Sequence, residues 1–401
     1  MSRATAPLRE ALEAALPERP FTVSFWDGTE LPSTNGAGGP TFTVRSPLAL
    51  SHMLRSPGQL GLGRAYVAGA VDVDDIDATL SLLDGYRPPP VELGTKARLA
   101  AAAVRAGGLT RVPRVSAAEL RPRGRRHSPD RDRRSVRHHY DVSNEYFALF
   151  LDESMTYSCA IWSRGAETLE EAQRTKLELV CTKLGLQPGE RVLDVGCGWG
   201  SFAVHAAREH DVHVTGITLS EPQAARARER ARAEGVADRV EIRVADYREL
   251  RGETYDAVAS IGMVEHVGSV NIDAYARTLA ALLRPGGRLL NHGIARLRHG
   301  EPEAGPFSER FVFPDAAPLH LSRIQFALEA AGLATDHVEG FAADYARTLR
   351  EWQRRLEARL GDAIRLAGEE RVRVWQVYLR AARRGFETGF TSVYQVRARK
   401  P

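Results

Sequence analysis

From residue 165 onward, short apolar runs of strand length alternate with stretches of helical periodicity, and no other feature of the chain constrains its fold as much. The pattern predicts strands at Arg191–Val195, 212–219, 240–245, Tyr255–Ile261 and 288–293. It predicts helices from a Thr168-x-x-Glu171 capping box through Leu184, from the glycines after 195 through Ala207, and over 221–234, 273–283 and 321–331. Such alternation implies a parallel sheet with helices on both faces. A continuous helix is expected over 345–384 and a last strand over 390–397.

The loop after the first of these strands reads VLDVGCGWG over 192–200. Gly196, Gly198 and Gly200 let the backbone turn tightly and approach a ligand closely. A dinucleotide site would show G-x-G-x-x-G and an acid at the end of the second strand, whereas here the second strand ends in Gly-Ile-Thr-Leu-Ser220. The D-x-G-x-G-x-G form, led by Asp194, is the one found in S-adenosylmethionine (SAM)-dependent methyltransferases. Asp246, after the third strand, is placed to accept from an adenine amino group, and Tyr247 to pack on the ring.

The chain has 401 residues, enough for one large and one smaller domain. Its 43% apolar and 26% charged residues are ordinary for a globular protein. No apolar run approaches the roughly 18–20 residues that span a bilayer. Residues 1–20 lack the basic-then-apolar layout of a secretory signal, so a cytoplasmic protein is expected. Residues 20–83 mix short β-like runs (21–26, 41–45) with a helical stretch at 47–54, which suggests a small α+β domain. The expected organisation is a small domain at 1–85, a linker at 86–135 and a catalytic domain at 136–401. Arginine is concentrated in 111–137 among prolines and glycines, a composition that cannot bury enough apolar surface to order itself well. That stretch reads as a solvated linker, or as a patch for anionic lipid head groups worth roughly 1 kcal/mol per basic residue. A nucleic-acid tether is disfavoured, since no motif for a flipped base accompanies it. The cysteines Cys159, Cys181 and Cys197 are spaced for neither a disulfide framework nor a metal site. Cys181 and Cys197 read as core.

Several separated motifs then become specific: HYDVSNEYF at 139–147, FLDESMTYSCAIW at 150–162, GMVEHVG at 262–268, NHGI at 291–294, and DYARTL at 344–349 with Trp352. Together they resemble the cyclopropane-fatty-acyl-phospholipid synthase family, which includes the mycolic acid cyclopropane synthases. The likeness is strong over roughly 137–400. Residues 20–85 resemble the small N-terminal domain of the phospholipid-acting branch. The resemblance implies an α/β fold: a seven-stranded SAM-dependent methyltransferase (Rossmann-like) domain with a smaller N-terminal α+β domain. It also implies a bicarbonate ion held by Cys159, Glu265, His292 and Tyr345 with help from the backbone at Ile294, and Tyr140 near the reacting carbons. SAM would be contacted by Tyr157 and Ser158 and by the segment Thr218, Leu219, Ser220 and Gln223. The implied partner is a phospholipid membrane surface reached peripherally from the cytoplasmic side. A homodimer through the N-terminal domain is compatible with it.

The chemistry agrees. An unactivated alkene is a feeble nucleophile and must be held in line with the methyl donor. The resulting carbocation must be shielded from water, a task for aromatic rings, and a base must then remove a proton. Glu265 directly, or an anion oriented by Glu265, His292 and Tyr345, would serve. His266 is read as structural. Two departures stand out. Ser143 and Glu145 replace the Gly and Asp usual in the phospholipid branch, and 311–319 reads FVFPDAAPL in place of the family's F-P-G-G-x-L-P. The latter insert shapes the acyl channel in relatives, so chain length and product stay open. The alternatives are a fatty-acyl C-methyltransferase giving a methylene branch, for which a reductase partner would be expected, a methyltransferase for an unrelated small molecule, and an idle membrane-binding protein that keeps the fold.

Overall fold

The computed structural model describes residues 4–36, 38–121, 124–140, 142–297 and 305–401, without the side chains of 129 and 136–140. Two compact units emerge: residues 1–119 with 368–381, and residues 120–367 with 382–401.

The first unit carries a four-stranded sheet in the order β2-β1-β3-β4, from β1 (Thr22–Phe25), β2 (Glu30–Leu31), β3 (Thr41–Val44) and β4 (Val71–Val73). Strand β1 runs parallel to β3, and the other pairs are antiparallel. Phe21, Val23, Phe25, Leu50 and Val71 form its core, joined by Ala102 and Ala103 of the Leu93–Ala103 helix. That helix is why the unit extends past residue 85: the stretch expected as connector buries alanines against the sheet domain. Arg373 completes the unit, its guanidinium 4.1 Å over the Tyr66 ring while it donates to the Tyr66 and Val71 carbonyls.

The second unit is a seven-stranded sheet in the order β10-β11-β9-β8-β5-β6-β7. Its strands are β5 (Arg191–Val195), β6 (His213–Thr218), β7 (Val240–Val244), β8 (Tyr255–Ile261), β9 (Leu283–Arg296), β10 (Ala334–Gly340) and β11 (Thr391–Arg399). Strands β7, β6, β5, β8 and β9 are parallel, and β11 enters antiparallel between β9 and β10. The chain order reverses on either side of β5, so a crevice opens at the carboxyl ends of β5 and β8, where ligands bind in open α/β sheets. The predicted capping box is present: Thr168 accepts from the Glu171 N–H and Glu171 accepts from the Thr168 N–H.

Three sequence expectations are corrected. The helix expected over 345–384 is three helices, Ala342–Ala358, Leu360–Ala367 and Glu369–Glu387, with Gly368 at φ 78° between the last two. Strand β10 was not foreseen, because it is an almost wholly exposed edge whose polar residues give no apolar alternation. Part of the arginine-rich stretch is ordered: Pro129–Tyr140 is a helix held by charge, with Arg131 forked onto Asp315 at 2.5 and 2.6 Å and Arg133 on Glu249 at 3.1 Å.

Gly200 illustrates how tightly the glycine loop is built in. Its φ is 80°, and a Cβ there would lie 2.8 Å from the Ala227 Cβ. Gly200→Ala is therefore expected to cost about 1–3 kcal/mol of stability, read as a lower urea midpoint at unchanged slope.

Candidate active site

The carboxyl ends of the parallel strands surround a cavity with about 1170 Å³ of space continuous with solvent. Of the residues expected to hold a cofactor, Tyr157, Ser158, Asp194, Gly196, Gly198, Thr218, Leu219, Gln223, Asp246 and Tyr247 line it. Gly196 and Gly198 have φ of 82° and 53°, the left-handed conformation the loop needs to curve around a ligand. Gly200 and Ser220 are not among the lining residues. Gly200 packs against Ala227, and the Ser220 hydroxyl caps the Glu221–Ala233 helix by accepting from the Gln223 N–H. Thr218 donates to the Gln223 side chain at 2.8 Å and accepts from the Ser220 N–H, so the wall after β6 is braced from within.

Asp246 is less free than the sequence suggests. Arg248 donates to both its oxygens, at 2.9 and 2.6 Å, and bridges on to Asp132 at 2.9 Å. The short helix Asn144–Phe147 meets the glycine loop: Trp199 donates to the Asn144 side chain at 2.7 Å, and the Phe147 and Trp199 rings lie 5.0 Å apart. Ser143, one of the departures, caps this short helix by accepting from the Tyr146 N–H.

Lys176 is a lining residue that sequence reasoning missed. It is 1% exposed and donates to the Ser158 hydroxyl at 3.1 Å. Burial lowers its pKa to about 8, opposed by Asp152, Cys159 and Asp194. Burial raises Asp194 to about 7 against the pull of Lys176, and its Oδ2 has no hydrogen-bond partner among the described residues. The signal was a lysine in register with Ala172, Val180 and the other buried residues of its helix. Met155, Thr156, Trp199, Met263 and His266 also line the cavity. His266, read as structural, is held neutral by burial, its pKa lowered to about 4.

The expected catalytic set lies just outside this lining. Glu265 sits in a short turn after β8, at residues Val264–His266. A Cβ at Gly293 would meet Val264 at 2.2 Å and the Glu265 carboxylate at 3.2 Å, so the glycine allows the turn to rest on β9. Burial pushes Glu265 up to about 7, offset by its own and the Ile294 backbone N–H, and its Oε2 lacks a partner among the described residues. Ile294 thus serves Glu265 in this structure.

The protonation of His292 can be read from its neighbours. Lys183 donates to Gln395 Oε1 at 2.6 Å, which fixes the amide, so Gln395 Nε2 donates to His292 Nδ1 at 3.1 Å. The ring proton is then on Nε2, a buried donor without a partner among the described residues. Burial, with Lys176 and Lys183, lowers the His292 pKa to about 3. Cys159 is fully buried, lies 3.8 Å from the Phe341 carbonyl, and is kept a thiol by burial and Asp344. Asp344 accepts from the Trp162 and Ser163 N–H groups and so ties the Cys159 segment to the helix of Tyr345. Trp352, with Tyr157 stacked at 5.0 Å and Tyr345 edge-on at 6.2 Å, forms an aromatic wall. The Tyr140 side chain lies outside the described residues, as does 298–304, which precedes the 311–319 stretch expected to shape an acyl channel.

Two outcomes follow. Glu265 binds its proton more tightly folded than unfolded, so wild-type stability falls as pH rises from its ordinary 4.5 through about 7. Glu265→Gln should gain on wild type by up to about 3 kcal/mol across that window while losing about 10²-fold in kcat/KM; denaturation at pH 5 and pH 8 with an activity assay checks both. Gln395→Glu should draw the His292 proton to Nδ1, visible in ¹⁵N NMR, and lower kcat by roughly 10²-fold or more.

The glycine cradle, the Asp194 oxygen that has no partner among the described residues, and the cavity after β5 suit a nucleoside cofactor such as SAM. The sequence model for mycolic acid cyclopropane synthetase matches residues 127–396. A "probable fatty acid methyltransferase" of Pseudomonas putida is 36% identical over 388 residues, 95% of this chain and 92% of that protein. The cyclopropane-fatty-acyl-phospholipid synthase of Escherichia coli K12 is 33% identical over 366 residues, 90% and 88% of the two chains. A solved mycolic acid cyclopropane synthase, in complex with SAH and CTAB, is 34% identical and superposes with a TM-score of 0.64 over 67% of this chain and 98% of its own. The chain therefore belongs to the mycolic acid cyclopropane synthetase family of SAM-dependent cyclopropane and methyl transferases.

Proposed function

We propose that this protein transfers a methylene group, delivered as methyl from SAM, to the double bond of an unsaturated phospholipid acyl chain, forming a cyclopropane. The observation that carries this reading is that Glu265 Oε2, in the turn after β8, and His292 Nε2, on the neighbouring β9, are buried and have no hydrogen-bond partner among the described residues. Transfer to oxygen or nitrogen has no need of them. They suit a small oxyanion, and bicarbonate is the ion we assign, with Cys159 and Tyr345 beside it. SAM, when bound, supplies an activated methyl; bicarbonate supplies a base for the proton lost at ring closure.

The protein's own groups do the rest. Tyr157, Ser158 and Lys176 hold the amino-acid end of the cofactor, and the Asp246–Arg248 pair faces its adenosine end. Tyr157 lines the cavity, backed by the buried Trp352 ring with Tyr345 edge-on to it, and in this reading the Tyr157 ring meets the substrate cation while the wall behind it excludes water. His292 donates from Nε2, and Glu265, with a pKa of about 7, can pass a proton in either direction at neutral pH.

A second reading, a fatty-acyl C-methyltransferase that yields a methylene or methyl branch, is favoured by the P. putida relative's name and its coverage of nearly the whole chain. The two reactions share every step up to the cation and differ in which proton leaves. A methylene product would call for a reductase partner. Substrate access fits peripheral binding at the inner membrane face: no helix among the described residues is long and apolar enough to cross a membrane.

The test is incubation with SAM and vesicles of a monounsaturated phospholipid, followed by mass spectrometry and proton NMR of the acyl chains. A gain of one CH2 with upfield ring protons is expected. Vinyl protons at the same mass would move the assignment to the branched product, and no gain would reject both. Activity on anionic vesicles should also fall steeply between low and high salt; salt-insensitive activity would reject electrostatic docking.

A further inference from the structure

The helix Leu169–Leu184, which carries Lys176, packs beside the helix Ser201–His210. Where the two helices meet, the donor atoms of Cys181, His205 and His210 all lie within 4.8 Å of one another. Cys181 is fully buried and His205 is 7% exposed. A fourth donor joins them. Glu178, one turn before Cys181, places the same carboxylate oxygen 3.3 Å from His205 Nε2 and 3.0 Å from His210 Nε2. Its other oxygen accepts from the Thr182 hydroxyl at 3.2 Å.

We propose that Cys181, His205 and His210, with Glu178 as fourth ligand, form a binding site for a divalent cation of the zinc class. One thiol, two imidazoles and a carboxylate are the donor types zinc takes in tetrahedral sites, with bonds of about 2.0–2.3 Å. Donors around such an ion stand roughly 3.3–3.8 Å apart, so the Cys181, His205 and His210 donors need to contract by about 1.5 Å at most. Each ring binds the ion through a nitrogen lone pair, its single proton moving to the other ring nitrogen by exchange with solvent. The metal–sulfur bond forms as the Cys181 S–H proton leaves to solvent, so affinity rises with pH. Glu178, half exposed, and His210 give the entry path, while Cys181 closes the floor.

The position argues for a structural role. His210 ends a helix whose other end is the glycine loop, and a ten-residue helix puts them about 15 Å apart. The other helix carries Lys176 five residues before Cys181. A bound ion would pin together the two helices at the end away from the glycine loop, while Lys176 on one and Ser201 and Phe202 on the other line the cavity.

The test strips the full-length protein with a chelator and titrates it with Co²⁺ and Zn²⁺. One Co²⁺ per chain is expected, with a thiolate-to-metal charge-transfer band that Cys181→Ser loses. Zn²⁺ should raise the Tm of the wild type. His210→Ala, at a partly exposed position, should weaken Zn²⁺ by at least about tenfold and abolish that rise. SAM binding measured in both variants should stay at the wild-type value, which shows that they are folded. Absence of the charge-transfer band in the wild type, or Zn²⁺ affinity unchanged in folded His210→Ala, would overturn the site and leave a Glu178–histidine hydrogen-bond cluster only.

Discussion

The catalytic unit depends on a cation where cations are expensive. Lys176 is buried among side chains whose charges it sets: it pulls down Asp194, opposes the burial of Cys159 and helps keep His292 neutral. Removing an ammonium from water costs several kcal/mol, and the compensation is spread over Asp152, Asp194 and the Ser158 hydroxyl. With a pKa near 8 it stays largely charged at neutral pH, so a positive charge bears at once on Asp194, Cys159 and His292.

Around it, the remaining polar groups are arranged by backbone. Asp344 fastens the Cys159 segment through two N–H groups, Gly293 makes room for the Glu265 turn, and Lys183 orients Gln395, which orients His292. Each of these supports sits one contact away from the chemistry. The aromatic wall of Tyr157, Trp352 and Tyr345 needs the same scaffold, since Asp344 and Tyr345 share the first turn of one helix.

Much of this was legible in the sequence, for identifiable reasons. The parallel strands are apolar runs buried on both faces, so β5 and β8 were read to the residue. The cofactor loop announces itself through glycines and Asp194, and Ser158, Thr218 and Tyr247 follow it in register. What escaped has a common cause. Edge strand β10 carries polar residues because it faces water. Gly200 and Ser220 belong to motifs whose other residues line the cavity, whereas they themselves pack and cap. Lys176, Gln395 and the Cys181–His205–His210 cluster acquire meaning only from partners far away in sequence. The arginine-rich stretch looked unable to order itself because its anchors, Asp315 and Glu249, lie more than a hundred residues downstream.

Strand β11 has one more implication. It is translated after every other strand of the sheet, yet it lies between β9 and β10 and brings Gln395 to His292. A ribosome-bound chain can assemble the five parallel strands and the glycine loop, but β9 then has an open edge and His292 has no orienting amide. The nascent protein can thus form its cofactor cradle before its proton-handling groups are set.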